Sequence, residues 1–599
     1  MRAPSELATQ ARHLGARAAR KLRGSRAREP ASDPRGSWDY AAWLQRRLDD
    51  RRLMAATQVP AGLFSILTCV YEGSPAGLFR ETAASVLGQH EASFEWIVVA
   101  QGELPDDLDA VLRDVAADLR VRCVLKPDNQ GIIRGLRSAL EAATGTYVVP
   151  LDGDDLLYPD ALGVLTGEIQ RRGHPPFLYG DEDALVEGVP TAPYFRPDWD
   201  PLLNLASSYI WHPSAFDRRQ ALDVGVFSDR GSEFCQDWDT VFRFHGAGVE
   251  PVHVPEMLYH WTAHGASSTN RSNPNQGSLD SQRHVLQREL DRRSLDAVFE
   301  LAPFPMDRGL PELWPRRRRD DAPDVTVVAM TGDSRTAAAC LSRVARSCRY
   351  PVRAFVAAGP HRLSGRQRRG VSEAAGFSGA HVSHPRPDVI SVADSGLGGL
   401  RQAIEAQTGE WTVVFTPCAV PDDPDWLWEA IGLGELVPDV SLVSGRIVDA
   451  DNIVRGGGEL WGAGDLLGCP DLGHAADEPG PYAISLKPHC VSAVNAHFLI
   501  ARTGVLTQAL ADLPDDAGFA WLGVWLGVWA ERSGVRTAYS PLVAARCSRA
   551  FDASPPADAG GLRAVARRFG GLPAPHPLVR LYSRTDNRRT LEECQATPG

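Results

Sequence analysis

The chain has 599 residues, of which 43% are hydrophobic and 23% are charged, a composition typical of water-soluble globular proteins. This length exceeds what one hydrophobic core usually supports, so we expect two or more domains. The formal net charge of -12 disfavours a general nucleic-acid binder, because neutralising phosphates requires a basic surface.

Cysteines and apolar stretches bear on where the protein works. The ten cysteines include no Cys-x-x-Cys pair and no zinc-type Cys/His cluster, which favours reduced thiols and a cytoplasmic protein. No stretch reaches the roughly 20 apolar residues that span a bilayer, and no apolar core of a secretory signal follows the basic N-terminus. Residues 1–28 are rich in Arg and Ala. They predict either a solvated tail or a cationic arm lying peripherally on the inner face of the plasma membrane.

Short apolar runs alternate with amphipathic helices from Phe64 onward, the pattern of a mostly parallel α/β sheet. The predicted elements are a helix over 38–52, strands over 64–70, 96–100, 121–126 and 147–151, and helices that include 79–87 and 132–143. The fourth strand runs directly into Asp152, Asp154 and Asp155, at the carboxyl end of the sheet, where open α/β folds bind ligands.

The second half of the chain repeats the pattern of the first. Residues 136–145 and 400–409 read LRSALEAATG and LRQAIEAQTG, and an apolar strand follows each, which indicates a tandem duplication. In this register Thr416, Cys418 and Ala419 replace the three aspartates. The predicted divisions are an N-terminal arm and helix over 1–60, a first domain over 61–301, a Pro/Arg-rich linker over 302–323 and a second domain over 324–599.

The segment LDGDD over 151–155 brings three carboxylates close together. Like charges at such short range are costly unless a cation neutralises them. Mg²⁺ or Mn²⁺ prefers oxygen ligands, leaves positions for phosphate and water, and stabilises charge on a departing diphosphate. The alternative is an acidic turn in which Asp155 caps a helix over 156–164. The motif alone does not decide between the two.

Further motifs occur in a fixed order that resembles family 2 glycosyltransferases of the GT-A fold. The resemblance lies in the segments 64–72, 82–89, 95–99, 129–145 and 151–155, and then in YGDED over 179–183, FRPDW over 195–199 and LYHW over 258–261. The last three are similar to the subgroup that builds O-antigens and related surface polysaccharides. The resemblance covers about residues 60–275. It implies a Rossmann-like GT-A domain in tandem with a second GT-A-like domain that lacks the acids.

The resemblance also implies roles for individual residues. Asp237, in CQDWD over 235–239, would be the general base that takes the proton of a sugar hydroxyl, in a direct displacement with inversion. Asp239 would brace or cap the helix that starts there. The metal candidates are Asp152, Asp154, Asp155, His260 and His264, where a structural role is the alternative for both histidines. The donor-binding candidates are Val70, Tyr71, Glu72, Gln101, Asn129, Gly131, Arg134, Asp152 and Gly153, and the acceptor-binding candidates are Asp181, Asp183, Gln236 and Trp238.

One departure from the family concerns the nucleobase. The family usually has an Asp after the second strand, whereas this chain has Gln101 and Glu103 there, so either of these could substitute or the donor could carry a base other than uracil. Trp521, Trp525 and Trp529 share one helical face, which favours packing in the core or between domains over a carbohydrate- or membrane-binding face.

The function implied is an inverting hexosyl- or deoxyhexosyltransferase that uses Mg²⁺ or Mn²⁺. Its partners would be a nucleotide-sugar donor and a hydroxyl of a cell-surface polysaccharide or lipid-linked glycan precursor, with no nucleic acid. The alternative is a non-catalytic glycan-binding or scaffold protein built from two such domains. A scaffold has no chemical need for both the acidic cluster and Asp237, so their presence favours the enzyme.

Overall fold

The structure is a computed structural model. It describes residues 39–53, 60–90, 93–262, 264, 276–303, 312–319, 322–376, 385–407, 409–421, 423–463, 467–513, 518–547 and 564–579, the last range without 566 and 572. The predicted basic arm over 1–28 lies outside the described residues. In the part of the chain that is described, no helix is long and apolar enough to cross a membrane.

The first half forms a nine-stranded sheet. Its strands are β1 (Phe64–Tyr71), β2 (Phe94–Gln101), β3 (Val121–Lys126), β4 (Tyr147–Pro150), β5 (Leu156–Leu157), β6 (Phe177–Val186), β7 (Val189–Tyr194), β8 (Ser214–Asp217) and β9 (Val252–Thr262). They lie in the order β3-β2-β1-β4-β8-β6-β9-β5, with β7 paired to β6. Strands β3, β2, β1 and β4 run parallel, as do β6 and β9.

Helices cover this sheet. They are α1 (Tyr40–Leu53), α2 (Ala76–Leu87), α3 (Asp106–Val115), α4 (Ile132–Ala142), α5 (Ala161–Arg171), α6 (Pro201–Ala206), α7 (Arg218–Asp223), α8 (Gln236–Gly246) and α9 (Gln276–Arg292), with a 3-10 turn at Arg230–Ser232. All four residues of β4 are buried, as expected for a strand covered on both faces. The predicted strands and helices are present, with bounds shifted by a few residues.

The alternative interpretation, in which Asp155 caps a helix over 156–164, is wrong. Leu156 and Leu157 instead form β5, which pairs antiparallel with His260 and Tyr259 of β9. The helix starts only at Ala161, because the pairing with β9 holds the preceding segment extended. A partner distant in sequence therefore overrides the local helix signal.

The second half forms a ten-stranded sheet. A strand pair, β10 (Phe299–Pro303) and β11 (Leu313–Arg317), precedes it, and the sheet strands are β12 (Val325–Met330), β13 (Ala354–Ala358), β14 (Asp388–Val392), β15 (Trp411–Phe415), β16 (Val420–Pro421), β17 (Val440–Val448), β18 (Val454–Gly456), β21 (His489–Cys490), β22 (Phe498–Arg502) and β23 (Arg536–Arg546). A separate pair is formed by β19 (Leu460–Trp461) and β20 (Leu467–Gly468). The helices are α10 (Ser334–Ser347), α11 (Gly365–Ala375), α12 (Gly396–Glu405), α13 (Trp426–Leu436), α14 (Thr503–Asp512) and α15 (Leu522–Arg532), with 3-10 segments Pro481–Leu486 and Phe519–Trp521.

The two sheets have the same strand topology. The order β14-β13-β12-β15-β22-β17-β23-β16 reproduces that of the first sheet strand for strand, and β18 pairs with β17 as β7 pairs with β6. Tyr147 begins β4 where the aligned Trp411 begins β15, and Leu156 begins β5 where the aligned Val420 begins β16. The α/β class and the tandem GT-A-like arrangement predicted from the repeat are confirmed.

The segment predicted as a linker is partly structured. Leu313 and Trp314 of β11 are buried, and Arg317 pairs with Glu435 of α13 at 2.5 Å. The side chains of Leu313 and Trp314 pack into the core of the second half, so this part of 302–323 is not a free linker.

The two halves pack into one body through shared apolar clusters. One cluster joins Leu202 and Trp238 of the first half to the core of the second, and another joins Ile484 and Leu578 of the second half to the core of the first. Trp525 is buried in the second core, as predicted from its helical face.

Close packing of α15 gives a stability prediction. A Cβ at Gly523 would overlap the backbone carbonyl of Val494, whereas Gly504 of α14 has open space. We expect Gly523→Ala to lower the free energy of unfolding by about 1–3 kcal/mol through overpacking. Gly504→Ala is the matched control and is expected to raise it by up to about 1 kcal/mol. Urea unfolding of both variants measures the difference, and equal stability of the two would contradict this packing.

Candidate active site

Three aspartates meet at the carboxyl end of β4. One carboxylate oxygen each from Asp152, Asp154 and Asp155 lies within 4.8 Å of the others. Gly153 lets this turn press against β1, since a Cβ there would lie 3.3 Å from the carbonyl oxygen of Cys69. The acids therefore lie at the sheet edge where α/β folds bind ligands.

Asp155 is the buried member of the three. One of its oxygens accepts a hydrogen bond of 2.7 Å from the Tyr259 hydroxyl, and the other accepts one of 2.7 Å from the Thr262 backbone N–H. Burial, with the charges of Asp152 and Asp154, holds the pKa of Asp155 well above its usual range. Asp155 is thus committed to contacts with β9.

A histidine from the segment before β8 faces Asp152. Nε2 of His212 lies 3.5 Å from Oδ2 of Asp152, and the imidazole stacks on Tyr259 with ring centroids 5.2 Å apart. Burial lowers the pKa of His212, but the carboxylates of Asp152 and Asp237 outweigh it and raise that pKa to about 10. Burial likewise raises the pKa of Asp152, but the facing imidazole outweighs it and the net direction is down.

Asp237 lies in the first turn of α8 and is half-buried. Its carboxylate interacts electrostatically with His212 and Asp152, so it shares one site with the acidic cluster. Burial, together with the Asp152 charge, raises the pKa of Asp237, and a higher pKa makes its carboxylate a stronger proton acceptor. Asp239 instead braces the helix, accepting a 2.7 Å hydrogen bond from Arg243.

The site carries more negative than positive charge. Asp154 pairs with Nε2 of His264 at 2.8 Å, and Asp152 faces Nε2 of His212 at 3.5 Å. Burial, and next the charge of Asp152, raises the pKa of Asp154, so the pairing with His264 does not compensate fully. A divalent cation with oxygen ligands would relieve this repulsion. The donor set therefore fits the predicted Mg²⁺ or Mn²⁺.

The predicted donor residues lie at the ends of β1 and β2 and around the start of α4. Glu72 follows β1 and accepts a 3.5 Å hydrogen bond from Nδ2 of Asn129, whose Oδ1 accepts one of 3.1 Å from the Gly131 N–H. Tyr71 is 45% exposed at the end of β1, and Arg134 is exposed in the first turn of α4. Val70 is buried, and its Cγ1 would lie 3.2 Å from a Cβ on Gly153.

Gln101 supports this region from inside. Its amide nitrogen donates to the Gly131 carbonyl at 3.1 Å, and its amide oxygen accepts from the Gln130 N–H at 3.1 Å. Both ends of the buried amide are therefore used within the protein. A direct contact with a nucleobase does not fit this geometry, and Gln101 braces the 129–131 loop instead.

The brace gives a second prediction. Gln101→Ala leaves the Gln130 N–H of the loop without its partner and removes one of the two donors to the Gly131 carbonyl, which the Gly135 N–H still contacts, so we expect a cost of about 1–3 kcal/mol. We expect a weaker nucleotide-sugar affinity and a lower Tm. Gln130→Ala retains the loop backbone that Gln101 holds, and it should change stability by no more than about 0.5 kcal/mol. Calorimetry and thermal unfolding measure both effects; an unchanged donor affinity in Gln101→Ala would contradict the bracing role.

Comparison with known proteins identifies the domain. Residues 65–180 match the family described as glycosyl transferase family 2. The O-antigen biosynthesis protein RfbC of Myxococcus xanthus is 31% identical over 257 residues, which cover 42% of this chain and 20% of that protein. The match lies within the first domain, which we therefore call the family 2 domain. The resemblance inferred from the sequence motifs is thereby confirmed.

Other relatives extend the comparison. The uncharacterized protein y4gI of Sinorhizobium fredii is 28% identical over 459 residues, 74% of this chain and 48% of that protein. The chain thus spans less than half the length of these two curated relatives. The chain is also similar to the structure of S. aureus TarS 1-349 in complex with UDP-GlcNAc, with 16% identity, a TM-score of 0.33, and coverage of 39% of this chain and 70% of that fragment.

The two acidic residues predicted to bind acceptor lie inside the family 2 domain. Asp181 and Asp183 of β6 are each 1% exposed. Asp181 accepts from the Arg196 N–H at 2.8 Å and contacts His253, and Asp183 accepts from the Tyr158 hydroxyl at 2.7 Å. The acceptor role predicted for Asp181 and Asp183 does not fit, because neighbouring segments of the protein cover both carboxylates and use them in internal contacts.

Two further predictions change for similar reasons. Trp238 is buried in the core and donates from its indole N–H to the Asn204 carbonyl at 2.7 Å, so it is not available to an acceptor. His260 pairs through Nδ1 with Asp183 and packs on the Tyr158 ring, away from the acidic cluster, so the metal role predicted for it does not fit. Gln236 is half-buried at the start of α8, next to Asp237.

Sequence reasoning missed His212 and Glu233. His212 is brought to Asp152 only by the folded sheet, although a His-Pro pair just before a strand is visible in the sequence. Glu233 accepts a 2.5 Å hydrogen bond from the Ile132 N–H at the start of α4, which connects the segment before α8 to the donor loop. The acid stands shortly before the Asp237 motif, where it could have been noted.

The second domain lacks this constellation at the matching positions. Thr416 contacts His497, with 3.0 Å between Oγ1 and Nδ1, Ala419 is buried, and Cys418 is exposed. Within the described residues, a cluster of metal-ligating side chains occurs only at the three aspartates of the family 2 domain.

Proposed function

We propose that the family 2 domain transfers a sugar from a nucleotide-sugar donor to a hydroxyl of a cell-surface polysaccharide or lipid-linked glycan precursor, with inversion and with a divalent metal. The observation that carries this proposal is the cluster of Asp152, Asp154 and Asp155, with Asp237 an electrostatic neighbour of Asp152 and of the His212 that faces it. The name of the RfbC relative, an O-antigen biosynthesis protein, supports the polysaccharide class.

Asp152 and Asp154 are the proposed metal ligands. Their side chains are 46% and 32% exposed, so both carboxylates are accessible from the same cleft, whereas both oxygens of Asp155 are used internally. Hard divalent cations favour such oxygen ligands and take their remaining positions from phosphate and water. A bound Mg²⁺ or Mn²⁺ would neutralise the donor diphosphate and stabilise the charge of the leaving group. His264 would steady Asp154 from outside.

Asp237 is the proposed general base. A sugar hydroxyl is a weak nucleophile, and a carboxylate that accepts its proton as the new bond forms lowers the barrier. The raised pKa of Asp237 fits this task, because it increases the proton affinity of the carboxylate. His212 would hold Asp152 toward the cleft and balance part of the local charge. A single base acting on an incoming hydroxyl implies direct displacement and an inverted anomeric centre.

The donor would lie along the loops after β1 and β2. Tyr71 offers an exposed ring for a nucleobase or ribose, and Glu72 with Asn129 offers hydrogen-bonding groups at the same edge. Arg134, exposed at the start of α4, would pair with phosphate. The proposed location is the cytoplasmic face of the membrane, with residues 1–28 as a possible surface contact that lies outside the described residues.

A donor screen tests the function. Purified protein would be titrated with UDP-, GDP- and dTDP-sugars in the presence of Mn²⁺, Mg²⁺ or EDTA, and slow donor hydrolysis would be followed. We expect at least one nucleotide sugar to bind and hydrolyse only with metal. If none binds in a metal-dependent way, the enzyme proposal fails, and the alternative of a non-catalytic glycan-binding protein gains support.

A further inference from the structure

The second domain extends an aromatic side chain onto the surface of the family 2 domain. Tyr482, in the segment Pro481–Leu486, donates a hydrogen bond from its hydroxyl to the Pro193 carbonyl, and its ring lies 3.9 Å from that of Tyr194 between centroids. Despite these contacts 42% of Tyr482 remains exposed. Tyr482 therefore contacts the first domain and is also accessible to solvent.

Tyr482 begins a continuous aromatic wall. The Tyr194 ring lies 5.2 Å from Trp211, whose indole N–H donates to Oε1 of Glu182 at 2.6 Å. The guanidinium of Arg196 lies over both rings, at 4.8 Å from Tyr194 and 5.0 Å from Trp211. These contacts fix the orientation of Trp211, which is half-buried and therefore partly accessible.

The wall leads to the proposed base. Glu182, which accepts the hydrogen bond of the Trp211 indole, lies beside Tyr259 of β9 in the sheet, and the Tyr259 ring stacks on His212. Trp211 also directly precedes His212, which faces Asp152. The aromatic wall therefore ends one residue from the His212–Asp152 contact of the site.

The backbone conformation of Tyr482 is consistent with a role in binding. Its φ is 51° and that of Ala483 is 58°, in the left-handed region that is costly for residues with a side chain. Such conformations persist where the surrounding structure holds them, and they cluster at binding sites. This backbone conformation places Tyr482 against the first domain. Glycine would adopt it at lower cost, but glycine has no ring to present.

We propose that Tyr482 and Trp211 form a binding surface for a sugar ring of the acceptor glycan, so that the second domain completes the acceptor site of the first. A pyranose ring has apolar C–H faces that pack on aromatic rings. The inference rests on the proposed function. It gives the second domain a role in recognition that requires no acids of its own.

The test separates acceptor binding from donor chemistry. A panel of aryl α- and β-monosaccharide glycosides would serve as acceptor probes with the donor found by the screen, and the same chain would be applied to an array of bacterial surface oligosaccharides. We expect Tyr482→Ala to raise the acceptor KM or weaken array binding at least tenfold, while donor affinity and metal-dependent donor hydrolysis stay unchanged. Tyr482→Phe, which retains the ring, should remain within threefold of the wild type.

Two controls isolate the ring from domain packing. Lys487→Ala removes a 2.8 Å hydrogen bond to the Ser207 hydroxyl across the same interface, and Leu472→Ala removes an equally exposed apolar side chain of the second domain. Both should leave the acceptor KM unchanged. An unchanged KM in Tyr482→Ala, equal losses in Tyr482→Ala and Lys487→Ala, or loss of donor hydrolysis in Tyr482→Ala would overturn the inference. So would a wild-type chain that binds and glycosylates none of the probes, whereas failure of the donor screen alone concerns the proposed function.

Discussion

Replacing Asp237 by Asn is expected to reduce sugar transfer by about a hundredfold to ten-thousandfold, the usual contribution of a positioned general base. The amide keeps the shape of the side chain in the first turn of α8 but cannot accept the hydroxyl proton. Donor affinity should change little, because the proposed metal ligands Asp152 and Asp154 are retained. The expected signature is therefore a loss in kcat at nearly constant donor KM.

The control for Asp237→Asn is Asp223→Asn. Asp223 is an exposed carboxylate at the end of α7, so this variant removes one negative charge from the same domain without touching the site. Initial rates at saturating donor, together with calorimetric donor binding, distinguish the two variants. Wild-type transfer by Asp237→Asn would remove this residue from the role of base. Loss of donor binding in that variant would indicate a part in the donor site instead.

The second large effect concerns the acidic cluster. We expect Asp152→Asn to weaken metal-dependent donor binding by about a hundredfold or more, beyond the 10–100-fold that loss of an outer-shell partner usually costs. Asp152 is accessible and pairs only with His212 at 3.5 Å among its described contacts, so its charge is available to a cation. Removing it also leaves His212 without its main charged partner.

Asp155→Asn is the matched comparison, and its effect should be smaller, about tenfold. The side chain of Asp155 accepts from Tyr259 and Thr262, so an amide there disturbs the support of the cluster while leaving Asp152 and Asp154 in place. Donor titrations over a range of Mn²⁺ concentrations measure both variants. A larger loss in Asp155→Asn than in Asp152→Asn would reverse the proposed assignment of ligand and brace.

Local sequence patterns were sufficient to predict much of the framework. Strand β3 has the predicted bounds. Strand β4 ends just before the predicted acids, because a continuous apolar run bounded by polar residues is typical of a strand buried on both faces. The tandem repeat could be recognised in the sequence because an apolar strand follows each copy of the repeated segment. The register set by residues 136–145 and 400–409 equates Tyr147 with Trp411, and both residues begin the fourth strand of their sheet.

Contacts between distant segments explain the misassignments. Asp181 and Asp183 follow an apolar strand, and the sequence does not show that β6 continues to Val186 and is covered by β9. Leu156 has local helix-like surroundings but pairs with His260. His212 could not be assigned because its position beside Asp152 depends on how β8 and β4 pair, which no short motif encodes.

The most direct test of the central claim is calorimetric titration of the nucleotide sugar selected by the screen, with Mn²⁺ and with EDTA, on wild type, Asp152→Ala and Thr416→Ala. Thr416 occupies the position in the second domain that matches Asp152, so it controls for a site in either half. We predict one metal-dependent donor site per chain, lost in Asp152→Ala and retained in Thr416→Ala. Donor binding that persists in Asp152→Ala, or that does not depend on metal in the wild type, would contradict a metal-assisted donor site confined to the family 2 domain.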